Sequence, residues 1–397
     1  MGFLIAAGSA AISGPNRRSA PILGGRSPTL PYIHQHPDWP RFTWSAEALA
    51  NRLAAVRHRQ GVHLGRMQAL GFDLRAEANL EVLATEVVKS WAIEGEAIDR
   101  DEVRSSLAER LGLELAGLPR PSRAIEGVVA MMLDATRDFS RPLTAERLFG
   151  WHAALFPTGR SGLDPITVAA WRPESAGAMQ VISGRVGRER VHFEAPAADR
   201  LAGEMAAFLD WFEGGDDVDP VLRAGLAHLW FVTIHPFEDG NGRIARAIGD
   251  LVLARADRTG QRFYSLSAQI EAERGDYYRE LERAQRGGLD VTAWLEWFLD
   301  ILERAIAASD GTLERVLRKG RLWQRVGDRS LNQRQRRVLE RVLDVFEGKL
   351  TSSKYAKLAK CSADTAQRDI RDLLERGLLA RNEGAGRSTS YRVPDDV

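Results

Sequence analysis

The sequence predicts a mainly α-helical chain with one β-hairpin in its middle and a separate unit at its C-terminus. Apolar residues recur at helical spacing over most of 45–305, the pattern that gives a helix one buried face. The exception is 178–195, where two alternating segments flank glycines, as in a β-hairpin. From about residue 331, a helix, a helix–turn–helix and two short strands around a glycine-rich tip follow one another. That order predicts a winged helix.

The composition is that of an ordinary soluble protein, with 44% hydrophobic and 27% charged residues among 397. A formal net charge of +1 means that any nucleic-acid contact must come from a local patch. The single cysteine, Cys361, cannot form an internal disulfide, which fits a reducing cytoplasm. No apolar run reaches the roughly 18–20 residues that span a bilayer, so we expect no membrane segment.

Composition and helix signals divide the chain into five predicted segments. They are a flexible tail (1–26), an N-terminal helical region (27–118), a helical core (119–305), a linker helix (306–330) and the winged helix (331–397). The tail is rich in Gly, Ser and Pro. Helix starts between 45 and 305 are marked by side chains that can cap a first turn, namely Ser45, Asp99, Thr144 and Asp219.

The segment 235–246 combines features that suit the binding of a phosphate group. One helix ends where this segment begins, and the run Gly240, Asn241 and Gly242 then permits backbone shapes that are closed to most residues. A second helix begins near Arg243. Because backbone N–H groups at a helix start are exposed by glycines, they form a cradle for anions.

The side chains around this cradle complete the components of phosphoryl-type transfer. Arg243 and Arg246 lie three positions apart on one helix, and each can bind phosphate oxygens through its guanidinium. Asp239 offers a carboxylate to Mg²⁺, and His235 can accept a proton near neutral pH. Each has a structural alternative when taken singly: a helix-end histidine, a turn or a cap. A metal hydrolase would need more ligands than the loop has. Their combination favours transfer to a hydroxyl group with His235 as the base.

Residues 235–246 resemble the signature of the Fic family, His-Pro-Phe-x-Asp/Glu-Gly-Asn-Gly-Arg-x-x-Arg, and match every defined position. The resemblance covers about 120–305 and implies a Fic-type helical bundle. Most members with an intact signature transfer AMP from Mg-ATP to Ser, Thr or Tyr hydroxyls of proteins. It implies His235 as the base, Asp239 as the Mg²⁺ ligand and Arg246 at the γ-phosphate. The residues implied at the α- and β-phosphates are Gly240, Asn241, Gly242 and Arg243, and Phe237 is similar to the buried anchor of the loop.

Two further segments resemble functional parts of this family. The hairpin at 178–195 lies where the family has a flap that pairs with an extended target segment by strand addition. The implied docking residues are Met179, Gln180, Val181 and Ile182. Tyr277, Tyr278 and Gln285 resemble the stretch that borders the adenine. Some relatives carry Asn where this chain has Gln285, and core packing is the alternative for the two tyrosines.

Ser90-Trp-Ala-Ile-Glu94-Gly95 resembles the inhibitory motif of the family, Ser/Thr-x-x-x-Glu-Gly/Asn, here N-terminal to the core. If Glu94 points at Arg246, its carboxylate neutralises the arginine that the γ-phosphate needs and repels that phosphate. ATP would then bind with its α-phosphate turned away from in-line attack. The sequence therefore predicts an autoinhibited enzyme with low basal activity.

Three other functions remain open from the sequence. In some relatives the same glutamate positions a water that removes AMP from the modified target. The related death-on-curing toxins transfer phosphate, but they lack the Gly-Asn-Gly character of this loop. A DNA-binding regulator whose Fic core only senses nucleotide is the alternative outside the enzymes. The presence of both His235 and Asp239 favours an enzyme over a nucleotide sensor.

The C-terminal unit raises the question of a DNA partner. From Asn332 onward, fourteen Lys and Arg stand against ten Asp and Glu, a surplus of +4. A recognition helix can enter a major groove, and the candidate contacts are Gln367, Arg368, Arg371 and, on the wing, Arg387. Three acids on or beside that helix weigh against DNA: Asp364, Asp369 and Asp372. The alternative is a protein-interaction module, including one that forms a homodimer.

Overall fold

The chain forms two compact units in the computed structural model. The model describes residues 4–6, 32–113, 118–183, 190–215, 217–327, 331–345, 348–382 and 389–394. The first unit consists of Met1–Arg66 and Asn79–Ala308, and the second of Met67–Ala78 and Ser309–Val397. None of the helices in the described ranges combines the length and the apolar character needed to cross a bilayer.

Helices build most of the first unit, as the sequence predicted. In chain order they are α1 (Ala46–Gln68), α2 (Phe72–Ile93), α3 (Arg100–Leu111), α4 (Arg123–Arg137), α5 (Ala145–Leu155), α6 (Leu201–Glu213), α7 (Pro220–Ile234), α8 (Asn241–Asp257), α9 (Leu266–Ala272), α10 (Arg274–Gln285) and α11 (Thr292–Val326). The predicted caps are confirmed at several starts. At the start of α7, Asp219 accepts a hydrogen bond from the N–H of Val221. The side chains of Asp99 and Thr144 likewise accept hydrogen bonds from backbone N–H groups in the first turns of α3 and α5.

The two central helices, α7 and α8, are enclosed by the others. Every residue of α7 from Val221 to Ile234 except Arg223 is buried. A helix that is apolar on all sides needs neighbours on all sides. The start of α8 is buried as well, including the charged side chains of Arg243 and Arg246. The turn between these helices therefore lies in the middle of the unit.

Short strands lie beside the helices: β1 (Leu4–Ala6), β2 (Arg160–Ser161), β3 (Asp164–Pro165), β4 (Gln180–Ser183) and β5 (Arg190–Glu194). The hairpin predicted at 178–195 is confirmed as β4 and β5, while its glycine-containing tip falls outside the described residues. Strands β2 and β3 form a second, smaller hairpin that the sequence did not predict.

Two predictions about segment boundaries differ from the structure. Residues 1–26 were expected to be a flexible tail, but β1 pairs antiparallel with β4, with Ile5 opposite Val181. An edge strand has free N–H and C=O groups that a short extended segment can satisfy, which the composition of the tail does not reveal. The boundary expected at 118/119 does not divide the first unit, whereas the one expected at 305/306 lies close to the end of that unit at Ala308. One apolar core runs from Ile33 to Ile306, and α11 is continuous across residue 305.

The second unit contains the three helices and two strands predicted for it, in the predicted order, and one further strand, β6, that was not predicted. They are α12 (Gln333–Val345), β6 (Leu350–Thr351), α13 (Ser352–Ala359), α14 (Ala363–Glu375), β7 (Ala380–Arg381) and β8 (Ser390–Arg392), with the strands in the antiparallel order β6-β8-β7. The segment Met67–Ala78 also belongs to this unit. There Leu74 lies over Gly320, and Glu77 forms an ion pair with Lys319 at 2.5 Å.

A glycine in α4 marks the closest helix approach in this part of the core. A methyl group at Gly127 would overlap the carbonyl of Ala154 in α5, whereas one at Gly150 would meet no atom within 4 Å. We expect Gly127→Ala to lower the free energy of unfolding by about 1–3 kcal/mol because backbone atoms must move apart. Gly150→Ala is the control and should raise it by roughly 0.5–1 kcal/mol. Urea denaturation followed by tryptophan fluorescence measures both, and equal values for the two variants would contradict this packing.

Candidate active site

The turn between α7 and α8 is held in one shape by its own side chains. His235 ends α7 in the left-handed region (φ 52°), and Gly240 precedes α8 with φ 81°. The side-chain amide of Asn241 bonds both backbone groups of Phe237, accepting from its N–H (3.0 Å) and donating to its C=O (2.8 Å). Asn241 is fully buried, so its side chain holds the turn together and does not face a ligand. A non-glycine residue in the left-handed region is uncommon and is often found at functional sites.

Aromatic side chains pack against the turn and hold it in place. Phe237 is fully buried and stacks on His152 at 4.1 Å between ring centroids. A ring nitrogen of His152, Nε2, lies 3.2 Å from the carbonyl oxygen of Asp239. Burial lowers the pKa of His152 to about 4, so the ring is neutral at pH 7. Sequence reasoning missed this contact, since 87 residues separate the partners.

Arg172 is a second residue that sequence reasoning missed. It is almost fully buried, and its Nε donates to the carbonyl of His235 at 2.8 Å. Its NH2 donates to the carbonyl of Pro196 at 2.5 Å, and its own N–H donates to Pro236. Arg172 therefore ties the turn to the chain that follows β5. No local pattern around Trp171-Arg172-Pro173 signals this role.

His235 lines a cavity, and one of its two ring nitrogens has no hydrogen-bond partner among the described residues. Its Nδ1 lies 3.3 Å from the carbonyl oxygen of Val232, and its Nε2 is buried without a hydrogen-bond partner among the described residues. Burial, and then the neighbouring Arg172, lower the pKa of this imidazole to about 4. The ring is therefore neutral at pH 7, which is the form that accepts a proton.

One cavity brings together residues that the sequence predicted to be functional. It measures about 680 Å³, counted with the solvent at its mouth. Its walls come from α2, α7, the start of α8, the hairpin β4–β5 and α10. The lining residues are Glu94, Val181, His192, Phe193, Val232, His235, Gly242, Tyr277, Tyr278, Leu281, Glu282 and Gln285. Tyr277 and Gln285 are nearly fully buried, so they both pack in the core and face this space.

The glycine cradle at the start of α8 is filled by the carboxylate of Glu94. A Cβ at Gly242 would overlap Glu94 Oε1 and would lie 3.2 Å from the NH1 of Arg246. Arg246 donates from NH2 to Glu94 at 2.7 Å and to the carbonyl of Ser90 at 2.8 Å, and from Nε to Ser90 Oγ at 2.8 Å. Gly95 follows in the left-handed region at the end of α2 (φ 87°). Of the three predicted motif residues, Ser90 and Glu94 therefore contact the start of α8, and Gly95 lies in the turn that carries Glu94.

Asp239 is the residue predicted to bind Mg²⁺, and its surroundings fit a metal shared with a ligand. Its Oδ1 accepts from the N–H of Gly240 at 2.6 Å, and its Oδ2 accepts from Ser161 at 2.5 Å. The described residues contain no group of three or more His, Cys, Asp or Glu side chains that could hold a metal by themselves. Mg²⁺ is often held by one or two carboxylates together with substrate phosphates, which this single carboxylate permits.

The residues predicted for the flap differ in exposure. Gln180, Val181 and Ile182 lie on β4 and are half-buried, but Met179 precedes the strand, is buried and packs against Phe193. The outer edge of β4 carries β1. A target segment that adds to this edge would therefore have to replace β1.

The residues predicted to contact DNA lie on α14 where the structure describes them. Gln367, Arg368 and Arg371 are exposed. Arg387 lies outside the described residues. Asp369 is buried and receives hydrogen bonds from Arg334 at 3.0 and 3.1 Å. The exposed face of α14 is therefore more basic than the sequence of the helix suggests.

Comparisons with known proteins agree with the geometry of this turn. Residues 142–253 match the Fic/DOC family, and residues 32–113 match a family described as a domain of unknown function, DUF4172. A protein adenylyltransferase Fic from Nematostella vectensis is 36% identical over 115 residues, which are 28% of this chain and 25% of that protein. A protein adenylyltransferase Fic from Drosophila willistoni is 26% identical over 276 residues, 66% of this chain and 51% of that protein. The chain thus spans only a quarter to a half of the length of these relatives.

A solved structure shows that the likeness includes the fold. A Fic family protein from Desulfovibrio desulfuricans G20 superposes with a TM-score of 0.51 at 23% identity. The match covers 90% of this chain and 98% of that one. The signature turn at His235 lies within the matched segment of the family. This chain therefore contains, at residues 142–253, a domain of the Fic/DOC family.

Proposed function

We propose that this protein is an adenylyltransferase that transfers AMP from Mg-ATP to a hydroxyl group of a protein. The observation that carries the proposal is the buried, unpartnered Nε2 of His235, which faces the same cavity as the glycine cradle at Gly242. The names of the relatives from Nematostella and Drosophila support AMP as the group and protein as the acceptor.

The geometry supports a single displacement at the α-phosphorus of ATP. The acceptor oxygen forms a bond to that phosphorus, the bond to the pyrophosphate oxygen breaks, and the proton of the hydroxyl passes to Nε2 of His235. Backbone N–H groups at the start of α8 and the guanidiniums of Arg243 and Arg246 would bind the phosphates. Asp239 would hold Mg²⁺, which neutralises phosphate charge when bound.

Glu94 would keep this site inactive. Its carboxylate lies in the place that a phosphate needs over Gly242, and it already occupies one N–H of Arg246. A carboxylate there competes by charge and by volume, because phosphate and carboxylate are both anions. We therefore propose that the protein is autoinhibited and that ATP binds productively once Glu94 has moved.

Substitution of Glu94 and His235 tests the enzyme and its inhibition together. We expect Glu94→Gly to raise the transfer of label from ATP labelled at the α-phosphate into protein by ~10²-fold, since misplacement of reacting groups costs about that much. Glu94→Gln should give a smaller rise, because it removes the charge and keeps the volume. Adding His235→Ala to Glu94→Gly should lower the rate by ~10²–10⁴-fold while ATP binding persists.

The position of the label distinguishes the alternatives. Label from the γ-phosphate should stay out of protein, and its incorporation would indicate phosphate transfer instead. ATP binding without any incorporation by the Glu94→Gly form would favour a nucleotide sensor. Loss of the label from a target that was adenylylated beforehand, on incubation with the unsubstituted protein, would indicate removal of AMP by Glu94. His34→Ala is a control, because His34 is a buried histidine that does not line the cavity.

The depressed pKa of His235 sets the expected pH dependence. Its pKa in the free protein is lowered to about 4, so the neutral base is present above that value and is lost as the pH falls through it. For the Glu94→Gly form, kcat/KM for ATP should stay flat from about pH 8 down to about pH 5. The acid limb of kcat should lie higher, because bound phosphates favour the imidazolium. An inflection of kcat/KM near 6.5 would contradict an effect of burial on this base.

We also propose that the second unit binds DNA, on the evidence of charge on α14. Gln367, Arg368 and Arg371 are exposed, whereas Asp369 on this helix is buried and Asp372, with a side chain that is 49% exposed, is paired with other residues. Asp369 is buried and bonded to Arg334, and Asp372 accepts a hydrogen bond from Gln335 at 2.7 Å. Arginines on an exposed helix can reach phosphates and base edges in a major groove.

A gel-shift series with the full chain tests this second proposal. We expect retardation of duplex DNA that weakens steeply with salt, and a smaller salt slope for the double variant Arg368→Ala, Arg371→Ala. The control is Arg41→Ala, Arg110→Ala, which removes the same charge from exposed positions of the first unit. Absence of retardation even at low salt would refute DNA binding and leave a protein-interaction module.

A further inference from the structure

The guanidinium of Arg243 lies between two aromatic rings. Its central carbon is 4.6 Å from the ring centroid of Trp91 and 5.2 Å from that of Phe156. The side chain is 4% exposed. A desolvated cation over the face of a tryptophan is attracted by the negative face of the ring, and Trp is the strongest aromatic partner. Two rings, one from α2 and one from the residue that follows α5, therefore contact the guanidinium.

Few hydrogen bonds help these rings to orient the guanidinium of Arg243. The Nε of Arg243 is buried without a partner among the described residues. NH1 lies 3.5 Å from the carboxylate of Glu96, which is half exposed, and NH2 lies 3.5 Å from that of Asp239. Both distances are longer than a good charge-assisted hydrogen bond. The orientation of the Arg243 guanidinium thus depends mainly on its contacts with the two aromatic rings. Its two NH₂ groups remain able to bind an incoming anion.

Trp91 belongs to the same helix that ends at the inhibitory carboxylate. Ser90 and Trp91 are 4% and 6% exposed, and each contacts one of the two arginines in the first half of α8 through uncharged groups. Glu94 follows the last residue of α2, with its side chain 21% exposed. The N–H of Glu94 donates to Trp91, and the turn is completed by the N–H groups of Gly95 and Glu96, which donate to Ala92 and Trp91, and by the hydroxyl of Tyr278, which donates to the carbonyl of Ile93. All of these bonds lie at the C-terminal end of the helix. The terminal turn can therefore open while the preceding turn stays packed.

We infer that Trp91 is a positioning residue for Arg243 and that α2 stays in place when Glu94 is released. The inference rests on the proposed adenylyl transfer and concerns its regulation. One helix then has two opposite effects: Ser90 and Trp91 orient the arginines for the phosphates, and Glu94 blocks them. Activation requires a local change at Glu94 and Gly95. Withdrawal of the whole helix would free the cradle but would also leave Arg243 without its tryptophan.

The test compares three substitutions of Trp91 in the released form, Glu94→Gly. Trp91→Phe keeps an aromatic face, Trp91→Leu keeps apolar volume without one, and Trp91→Ala removes both. We expect Trp91→Leu to raise the KM for ATP and the Kd for a non-hydrolysable ATP analogue by about 30-fold, which is ~2 kcal/mol at 1.4 kcal/mol per tenfold. Trp91→Phe should restore most of the affinity. The fall in kcat should be smaller, because His235 is untouched.

A matched control separates this effect from loss of stability. Trp211 lies 5.3 Å from the guanidinium of Arg223, away from the cavity, so Trp211→Leu removes another such contact and should leave both constants unchanged. Thermal unfolding shows whether each variant is folded. Folded Trp91→Leu with the KM and Kd of the Glu94→Gly form would overturn the inference, because α2 would then play no part in the released site. Equal losses in folded Trp91→Phe and Trp91→Leu would also overturn it. Failure of Glu94→Gly itself to label protein would instead refute the proposed function.

Discussion

The ion pair between Glu94 and Arg246 is the interaction around which the candidate site is arranged. Arg246 is almost fully buried, and a buried cation is costly unless it is paired and hydrogen-bonded. Glu94 supplies the opposite charge, while Ser90 accepts two further N–H groups. Because Ser90 satisfies part of the guanidinium without charge, the arginine keeps partners when the carboxylate leaves. An incoming phosphate would then replace one anion by another, which makes the exchange less costly than exposing a bare buried charge.

The rigidity of the signature turn comes from contacts that have nothing to do with phosphate. Asn241 closes the turn onto Phe237, Phe237 stacks on His152, and Arg172 holds the carbonyl of His235. These contacts fix backbone N–H groups and one buried imidazole beside the cavity. Electrostatic stabilisation by preorganised groups is worth more in such surroundings than in water. Under the proposed function, the buried polar contacts of the turn would also hold in place the groups that bind phosphate.

The hairpin β4–β5 and the strand β1 add a constraint on how a target can approach. Val181 and Phe193 line the cavity from the hairpin, so its inner face already contributes to the site. Its outer edge is paired with β1. Strand addition by a target would exchange one set of main-chain hydrogen bonds for another. The net gain then depends on the side chains of the target more than on its backbone.

The sequence by itself determined the helical class, the hairpin and the segment that carries the turn, because these depend on local periodicity and on glycines at fixed positions. Spacing within 235–246 also sufficed to predict which side chains would surround the cradle. Only the tertiary structure decided what lies against them. The contacts of Arg172 with His235, of His152 with Asp239 and of Trp91 with Arg243 join residues 63 to 152 positions apart. No local pattern encodes such pairs, because they arise only when helices pack. The burial of Asp369, which changes the charge on the face of α14, is decided in the same way.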